Sequence, residues 1–439
     1  MHSKRSLPNN EFFQMLMNEA FIPGMSVAAV SDGKPSWNSA LGIANTKSGA
    51  PVTTDTVFEA ASLSKPVFAY LVWKLIEDGK LAPDFMKQPL YKILPEYKPF
   101  FIDSPTKSIR FDDSNAGRAL TANLVLSHST GLPNWIKPDE KLEYQPGKDY
   151  RYSGEGFHYL QKVIEKLTGA SLQELAKKYV FVPLGMQHSC FSLPDKTTKL
   201  ASGHNETEEP QERTGRPEEN AGGSLHTTAC DYGRFLAACL DEKKSSFNEF
   251  LQATVYMAKD TEAVKKGVTT QVLNSVAWTL GWGLQEAEQG NIVFHWGDKP
   301  NFKAFAAVNL KDRSAIVYFT NSENGLAIAE DMVKTTVGNL ERGLSYLFKT
   351  YDYERYDAPN WKERHELQKE AETAEKNHDY KLAKELFEKI LLLSPKNKKS
   401  EVEHRIEWLN ALTRVQTTLL TEEILKRYVG QYGPLSITV

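Results

Sequence analysis

The chain has 439 residues, 41% of them apolar and 25% charged, and a formal net charge of -3, a balance typical of globular proteins. A charge so close to zero excludes the strongly basic surface of a nucleic-acid binder, and no apolar run is long enough to span a bilayer. Cys190, Cys230 and Cys239 have neither CxxC spacing nor histidine pairs nearby, so they read as small buried apolar residues, not as a disulfide frame or a metal site.

Residues 1–10 are polar and basic, and no apolar run of signal length follows. The chain as written is therefore expected to be cytoplasmic, with a periplasmic or secreted location as the alternative if a signal was removed. Positions 11–20 carry the spacing of a short amphipathic helix. Two alternating runs flank Ser31-Asp32-Gly33-Lys34, and Asp-Gly between such runs predicts a β-hairpin. Thr56–Ala61 reads as a brief strand or turn leading into a helix over Pro66–Asp78, where Val67, Tyr70, Leu71, Leu75 and Ile76 recur at helical spacing and Gly79 supplies the stop. The middle, about 80–276, is mostly helix and loop, with helices expected at 155–168, 171–180 and 229–241, the last opened by a capping pattern at Thr228–Asp231. Residues 202–224, polar and glycine-rich, predict an exposed loop. Strands return at Ala277–Leu284, Ile292–Trp296, Lys303–Asn309 and Ala315–Thr320, and 325–348 is helical. Strands at both ends of a helical middle predict an α/β (α+β) body over 11–348: a central antiparallel sheet from 20–60 and 277–348, flanked by helices, plus an all-helical subdomain.

Composition changes near 350. Residues 349–361 read as a linker and 362–415 as a charged helical hairpin, a C-terminal helical appendage. Ala383, Phe387 and Pro395 match the second-helix spacing of a tetratricopeptide repeat, in one unit only, and an ordinary hairpin fits equally well. A single such unit cannot bury its own face, which makes 362–415 a candidate surface for a protein partner. Lys396–Lys399 reads as a solvated face, and 416–439 as the start of a small β-domain that stops short.

Ser62-Leu63-Ser64-Lys65 is an S-x-x-K tetrad at a predicted helix start. Positions three apart share a helix face, so the Lys65 amine can reach the Ser62 hydroxyl, and the unpaired N–H groups of a helix N-terminus favour a forming oxyanion. The same pattern at Ser31–Lys34 and Ser104–Lys107 lacks that setting. A serine hydroxyl needs an adjacent base to act as a nucleophile. Lysine, with a free pKa of ~10.4, is a base near neutrality only when burial or a neighbouring charge lowers it. A tyrosine beside it can share the proton, with no imidazole required.

Further along lie Leu126-Ser127-His128-Ser129-Thr130-Gly131-Leu132-Pro133, Tyr152-Ser153-Gly154, Pro183-Leu184-Gly185-Met186, Ala221-Gly222-Gly223-Ser224 and His295-Trp296-Gly297. With the tetrad, and in this order, they make residues 15–345 resemble the serine β-lactamase and penicillin-binding superfamily, on the branch holding class C β-lactamases, DD-peptidases and related esterases. The resemblance implies the β-lactamase/transpeptidase-like fold, Ser62 as nucleophile, and Lys65 with Tyr152 as the groups that move its proton. It also implies an oxyanion hole of the Ser62 and Asp298 backbone N–H groups, substrate-binding positions at Gly154, His295, Trp296 and Gly297, a small-molecule or peptide substrate, and neither metal nor cofactor. Two motifs depart from the pattern: Gly154 replaces the asparagine of Y-x-N, and His295-Trp296-Gly297 replaces K-T-G. A mostly neutral histidine holds a penicillin carboxylate less firmly than lysine does. The departures favour an ester, a D-amino-acid amide or a peptide, with a class C-like β-lactamase and a non-catalytic scaffold as the alternatives. His128 and Gly131–Pro133 read as scaffold, His204 and His226 as loop histidines, and Trp282 as packing beside the sheet.

Overall fold

A computed structural model describes residues 9–100, 108–137, 144–193, 199–212, 218–241, 245–288, 290–417, 430–432 and 435–437. The chain divides into two compact units, Met1–Arg355 and Tyr356–Val439.

The first unit is organised by a nine-stranded sheet, in the order Ala50–Pro51, Lys34–Asn45, Gly24–Ser31, Ser314–Thr320, Phe302–Asn309, Ile292–Lys299, Gly283–Gln285, Val276–Trp278, Val255–Tyr256. All of its pairings are antiparallel. The Asp32-Gly33 hairpin forms where the alternation places it, with both residues at positive φ. Every residue of Phe302–Asn309 is buried, which requires cover on both faces of the sheet. One face carries Phe319 and Ala28, against Tyr232 and Gly233 of the Ala229–Cys239 helix. The other carries Phe294, Phe305 and Tyr318, with Phe294 against Gly343 of the Glu341–Thr350 helix. Each such fully buried aromatic contributes about 1.5–3 kcal/mol. This is the central antiparallel sheet flanked by helices that the ordering of elements predicts.

Several local expectations are corrected. The run Ala277–Leu284 is not one strand. It is two short strands, Val276–Trp278 and Gly283–Gln285, joined by a turn in which the Thr279 N–H donates to the Trp282 carbonyl at 2.8 Å. Gly281 sits in that turn at φ 97°, and a Cβ there would come 2.6 Å from the Cβ of Ala69. The alternation of apolar residues continues through the turn and hides it. The expected exposed loop at 202–224 is buried at both ends of its described part. His204 is buried at one end, its Nδ1 donating to Asn321 O at 2.9 Å and its Nε2 accepting from the Thr46 N–H at 3.2 Å. At the other end Asn220 and Ala221 are buried. Trp282 is fully buried and stacks on Phe235, beside the sheet as expected.

In the second unit the expected hairpin gains a third helix: Trp361–Lys376, Tyr380–Leu393 and Lys399–Thr417. Ala371, Ala374, Ala383, Leu386, Phe387, Ile390 and Leu409 form its core, so the third helix covers a face that a hairpin would leave open. Gly430–Tyr432 pairs with Leu435–Ile437. Part of the expected linker is structured within the first unit, where the Glu341–Thr350 helix runs directly into Tyr351 and Tyr353, both packed on other aromatic residues.

Candidate active site

The strand Phe58–Ala61 pairs with Leu225–Thr227 and ends at Ala61, held in the left-handed region at φ 47°. A non-glycine residue there is strained, and the strain turns the chain sharply into Ser62. Three contacts fix the turn. The Ser64 hydroxyl donates to Ala61 O at 2.6 Å and accepts the Leu225 N–H at 2.9 Å, and the Tyr232 hydroxyl donates to Leu63 O at 3.0 Å. The helix begins at Ser64, not Pro66, so Ser62 stands just ahead of it. The reach from Lys65 to Ser62 comes from this turn, in which the Lys65 N–H donates to Ser62 O at 3.0 Å, not from a shared helix face.

Lys65 is fully buried. Its Nζ lies 3.0 Å from Ser62 Oγ and 2.7 Å from the carbonyl oxygen of Gly222, and 4.7 Å from the centroid of the Tyr152 ring. Burial lowers its pKa to about 7, because a charged amine loses its hydration and finds no carboxylate to replace it. Burial pushes the Tyr152 phenol the opposite way, well above its usual range. That hydroxyl is buried beside Ser62, whose side chain works against the rise. The structure thus brings Ser62, Lys65 and Tyr152 together.

His128 grips Tyr152 from both sides. Its carbonyl accepts the Arg151 N–H at 2.8 Å, its Nδ1 accepts the Ser153 N–H at 3.0 Å, and its ring stacks on the phenol with centroids 4.3 Å apart. The ring is neutral: burial first, then Lys65, holds its pKa well below the usual histidine range. His128 is scaffold, as expected, but scaffold in direct contact with the site.

His295, in the sheet, is fully buried, and its Nδ1 donates to Trp296 O at 2.8 Å. Burial, followed by Lys65, lowers its pKa to about 3. It therefore supplies no positive charge. Trp296 packs on Tyr152 and Tyr351, with centroids 5.6 and 4.9 Å away. Gly297 is small because of the strand beside it. A Cβ there would meet the Ala60 carbonyl at 2.4 Å, so its smallness lets the strand leading to Ser62 lie against the sheet. Gly297→Ala is expected to cost about 2 kcal/mol or more through this overlap, read as a lower urea midpoint with an unchanged m-value. The Asp298 side chain is pinned by Lys303 at 2.8 Å and by the Tyr353 hydroxyl. Gly222, within the Ala221-Gly222-Gly223-Ser224 pattern, offers its carbonyl to Lys65, a role the pattern does not reveal because a carbonyl direction has no residue-type signature.

At Gly154 an added Cβ would lie 2.6 Å from the Trp135 indole and 3.0 Å from the Asn134 side-chain oxygen. His226 is buried, with Nδ1 donating to Ser224 O at 2.8 Å. Among the described residues no disulfide forms and no cluster of side chains is suited to a metal ion. The tetrad at Ser31–Lys34 lies in the hairpin, away from any helix start, and Ser104–Lys107 lies outside the described residues.

The family model named Beta-lactamase matches residues 9–335. The chain belongs to the Beta-lactamase family. Within it, the chain is 24% identical to penicillin-binding protein 4 of Amycolatopsis lactamdurans over 75% of this chain and 89% of that protein. It is 25% identical to the unguisins hydrolase of Aspergillus campestris, over 66% of this chain but only 57% of that protein. It is 26% identical to esterase EstB of Burkholderia gladioli over 41% of this chain and 50% of that protein. Among solved structures, a class C β-lactamase superposes with a TM-score of 0.58 at 20% identity, covering 78% of this chain and 94% of that one. The D-alanine carboxypeptidase AmpC of Burkholderia cenocepacia superposes with 0.56 at 19% identity, covering 77% and 96%. These structures share the fold of this Beta-lactamase family member.

Proposed function

We propose that this protein is a serine hydrolase that forms an acyl-enzyme on Ser62, with an ester or a carboxylate-free amide or peptide as substrate. The observation that carries the reading is Lys65: buried, facing one hydroxyl and one carbonyl, and lowered to about 7. A neutral amine 3.0 Å from Ser62 Oγ is placed to accept its proton as the oxygen attacks the substrate carbonyl carbon. Tyr152 stays a neutral phenol under the same burial. Lys65 therefore takes the first proton, and Tyr152 relays it to the leaving oxygen or nitrogen as the carbonyl–heteroatom bond breaks. Water then attacks the acyl-enzyme by the reverse relay, releasing the acid and restoring the Ser62 hydroxyl. The backbone N–H groups of Ser62 and Asp298 serve the oxyanion, each worth about 3 kcal/mol.

The same electrostatics argue against a carboxylate-bearing lactam. His295 is neutral. The lysines at the end of the His295 strand and the start of the next are engaged, Lys299 with Glu59 at 2.6 Å and Lys303 with both Asp298 and Glu323. Three carboxylates against two amines leave no surplus positive charge among these residues.

The test is covalent labelling and turnover. A fluorophosphonate is expected to label the protein, a fluorescent penicillin to label it far more slowly, and short acyl esters to turn over faster than nitrocefin. Efficient nitrocefin turnover without ester turnover supports a β-lactamase instead. Absence of labelling by either reagent supports a non-catalytic scaffold.

A further inference from the structure

Where the family motif places an asparagine, Gly154 leaves space, and that space is filled. Trp135 and Asn134 come from the segment after Pro133, with the indole 2.6 Å and the Asn134 Oδ1 3.0 Å from the position a Cβ would take. Asn134 also accepts the Gly154 N–H on Oδ1 at 2.8 Å and the Glu155 N–H on its carbonyl at 2.8 Å. An asparagine at 154 therefore does not fit beside the indole at 135 where that ring now lies.

The next residue, Glu155, fixes what surrounds the indole. It is fully buried. One carboxylate oxygen accepts the Phe100 N–H at 2.9 Å and the Tyr97 hydroxyl, and the other accepts the Ile136 N–H at 3.1 Å. A single carboxylate thus ties down the two segments bearing Phe100 and Trp135, whose rings meet with centroids 5.6 Å apart. Both rings remain only partly buried. Gly154, against which the indole lies, connects it to the site: Gly154 is two residues from Tyr152, a Cβ on Gly222 would be 3.3 Å from the Gly154 Cα, and Gly222 is the residue whose carbonyl holds Lys65.

We infer that Trp135, seated by Gly154 and clamped with Phe100 through Glu155, is a specificity-determining residue that receives a flat apolar group of the substrate where relatives carrying the asparagine offer an amide. The inference rests on the proposed hydrolase reading and narrows it to acyl donors bearing an aryl or comparably flat apolar group. An uncharged indole gains from a ring by stacking and burial and offers a polar acylamide a single N–H donor and no acceptor.

Binding without turnover tests this separately from catalysis. In a Ser62→Ala background, the dissociation constants of a phenylacetyl amide and of the matching acetyl amide are measured by calorimetry, with and without Trp135→Ala. The phenylacetyl compound is expected to bind about tenfold tighter than the acetyl one, and Trp135→Ala to erase that preference while Trp135→Phe keeps most of it. Equal affinities in the Ser62→Ala protein, or a preference that survives Trp135→Ala, overturn the inference. Melting temperatures of Gly154→Asn and Gly154→Asn/Trp135→Ala provide a packing test. The single variant is expected to melt lower and the double variant to recover, and no loss in the single variant overturns the exclusion. Failure of wild type to hydrolyse any ester sinks the hydrolase reading, and these binding and melting results still decide the role of Trp135.

Discussion

Ser62→Ala is expected to abolish fluorophosphonate labelling and to lower kcat for the best acyl ester by about 10⁴-fold or more, the scale on which removing a nucleophile disables a serine hydrolase. The fold should survive. Ser62 is partly exposed, and its side chain makes its hydrogen bond to Lys65, which keeps the Gly222 carbonyl at 2.7 Å. The melting temperature should therefore move by no more than a few degrees. Intact-mass spectrometry after incubation with the reagent reads the result. Labelling that persists at another residue would remove Ser62 from the mechanism, whereas labelling lost together with cooperative unfolding would mean that the serine is structural.

Lys65→Met is expected to do two opposite things: to lower kcat about 10³-fold or more, as the loss of an essential base does, and to make the protein more stable at neutral pH. The second effect follows from burial. The amine has its ordinary value of 10.5 when unfolded and about 7 when folded. Between these values the unfolded chain binds more protons, so wild-type stability rises with pH across that window. The cost of the buried amine is complete below pH 7 and is relieved as pH climbs toward 10.5. At about 1.4 kcal/mol per pH unit it amounts to several kcal/mol. Part of this is offset in the variant, which leaves the Gly222 carbonyl unpaired at about 1–3 kcal/mol. A net gain of about 1–3 kcal/mol raises the melting temperature by a few degrees. Melts at pH 6, 7, 9 and 10 should show the gap over wild type narrowing as pH rises. A variant less stable than wild type at every pH would mean that the amine carries no desolvation cost. In the wild type, kcat/KM for the ester should rise through pH 7 as the amine loses its proton.

The sequence exposed the site through residue types and order. Ser62, Lys65 and Tyr152 needed only a short turn and the family pattern to be picked out, and alternation revealed the hairpin and the sheet that carry them. What stayed hidden depends on contacts between distant segments. The Gly222 carbonyl acts through its backbone, which any residue possesses. His128 matters because its carbonyl and its ring straddle Tyr152, a geometry that a loop histidine does not advertise. Gly154 looks like a loss when read along the chain, and only the indole of Trp135 against it shows that the missing side chain is replaced. The turn at Gly281 was masked because apolar spacing runs straight through it, and the third helix after Ser394 because its charged face dilutes its apolar one.

The phenol of Tyr351 reaches Trp296 and Tyr152, and that of Tyr353 reaches Asp298, from beyond the end of the last helix of the first unit. The natural place to trim this protein is therefore not Thr350, where regular secondary structure ends. A version cut there would present the indole of Trp296 to water and release the Asp298 carboxylate from the Tyr353 hydroxyl. Arg355, anchored by Glu330 and Asp331 at 2.6 and 3.1 Å, marks a stopping point that keeps both tyrosines in place.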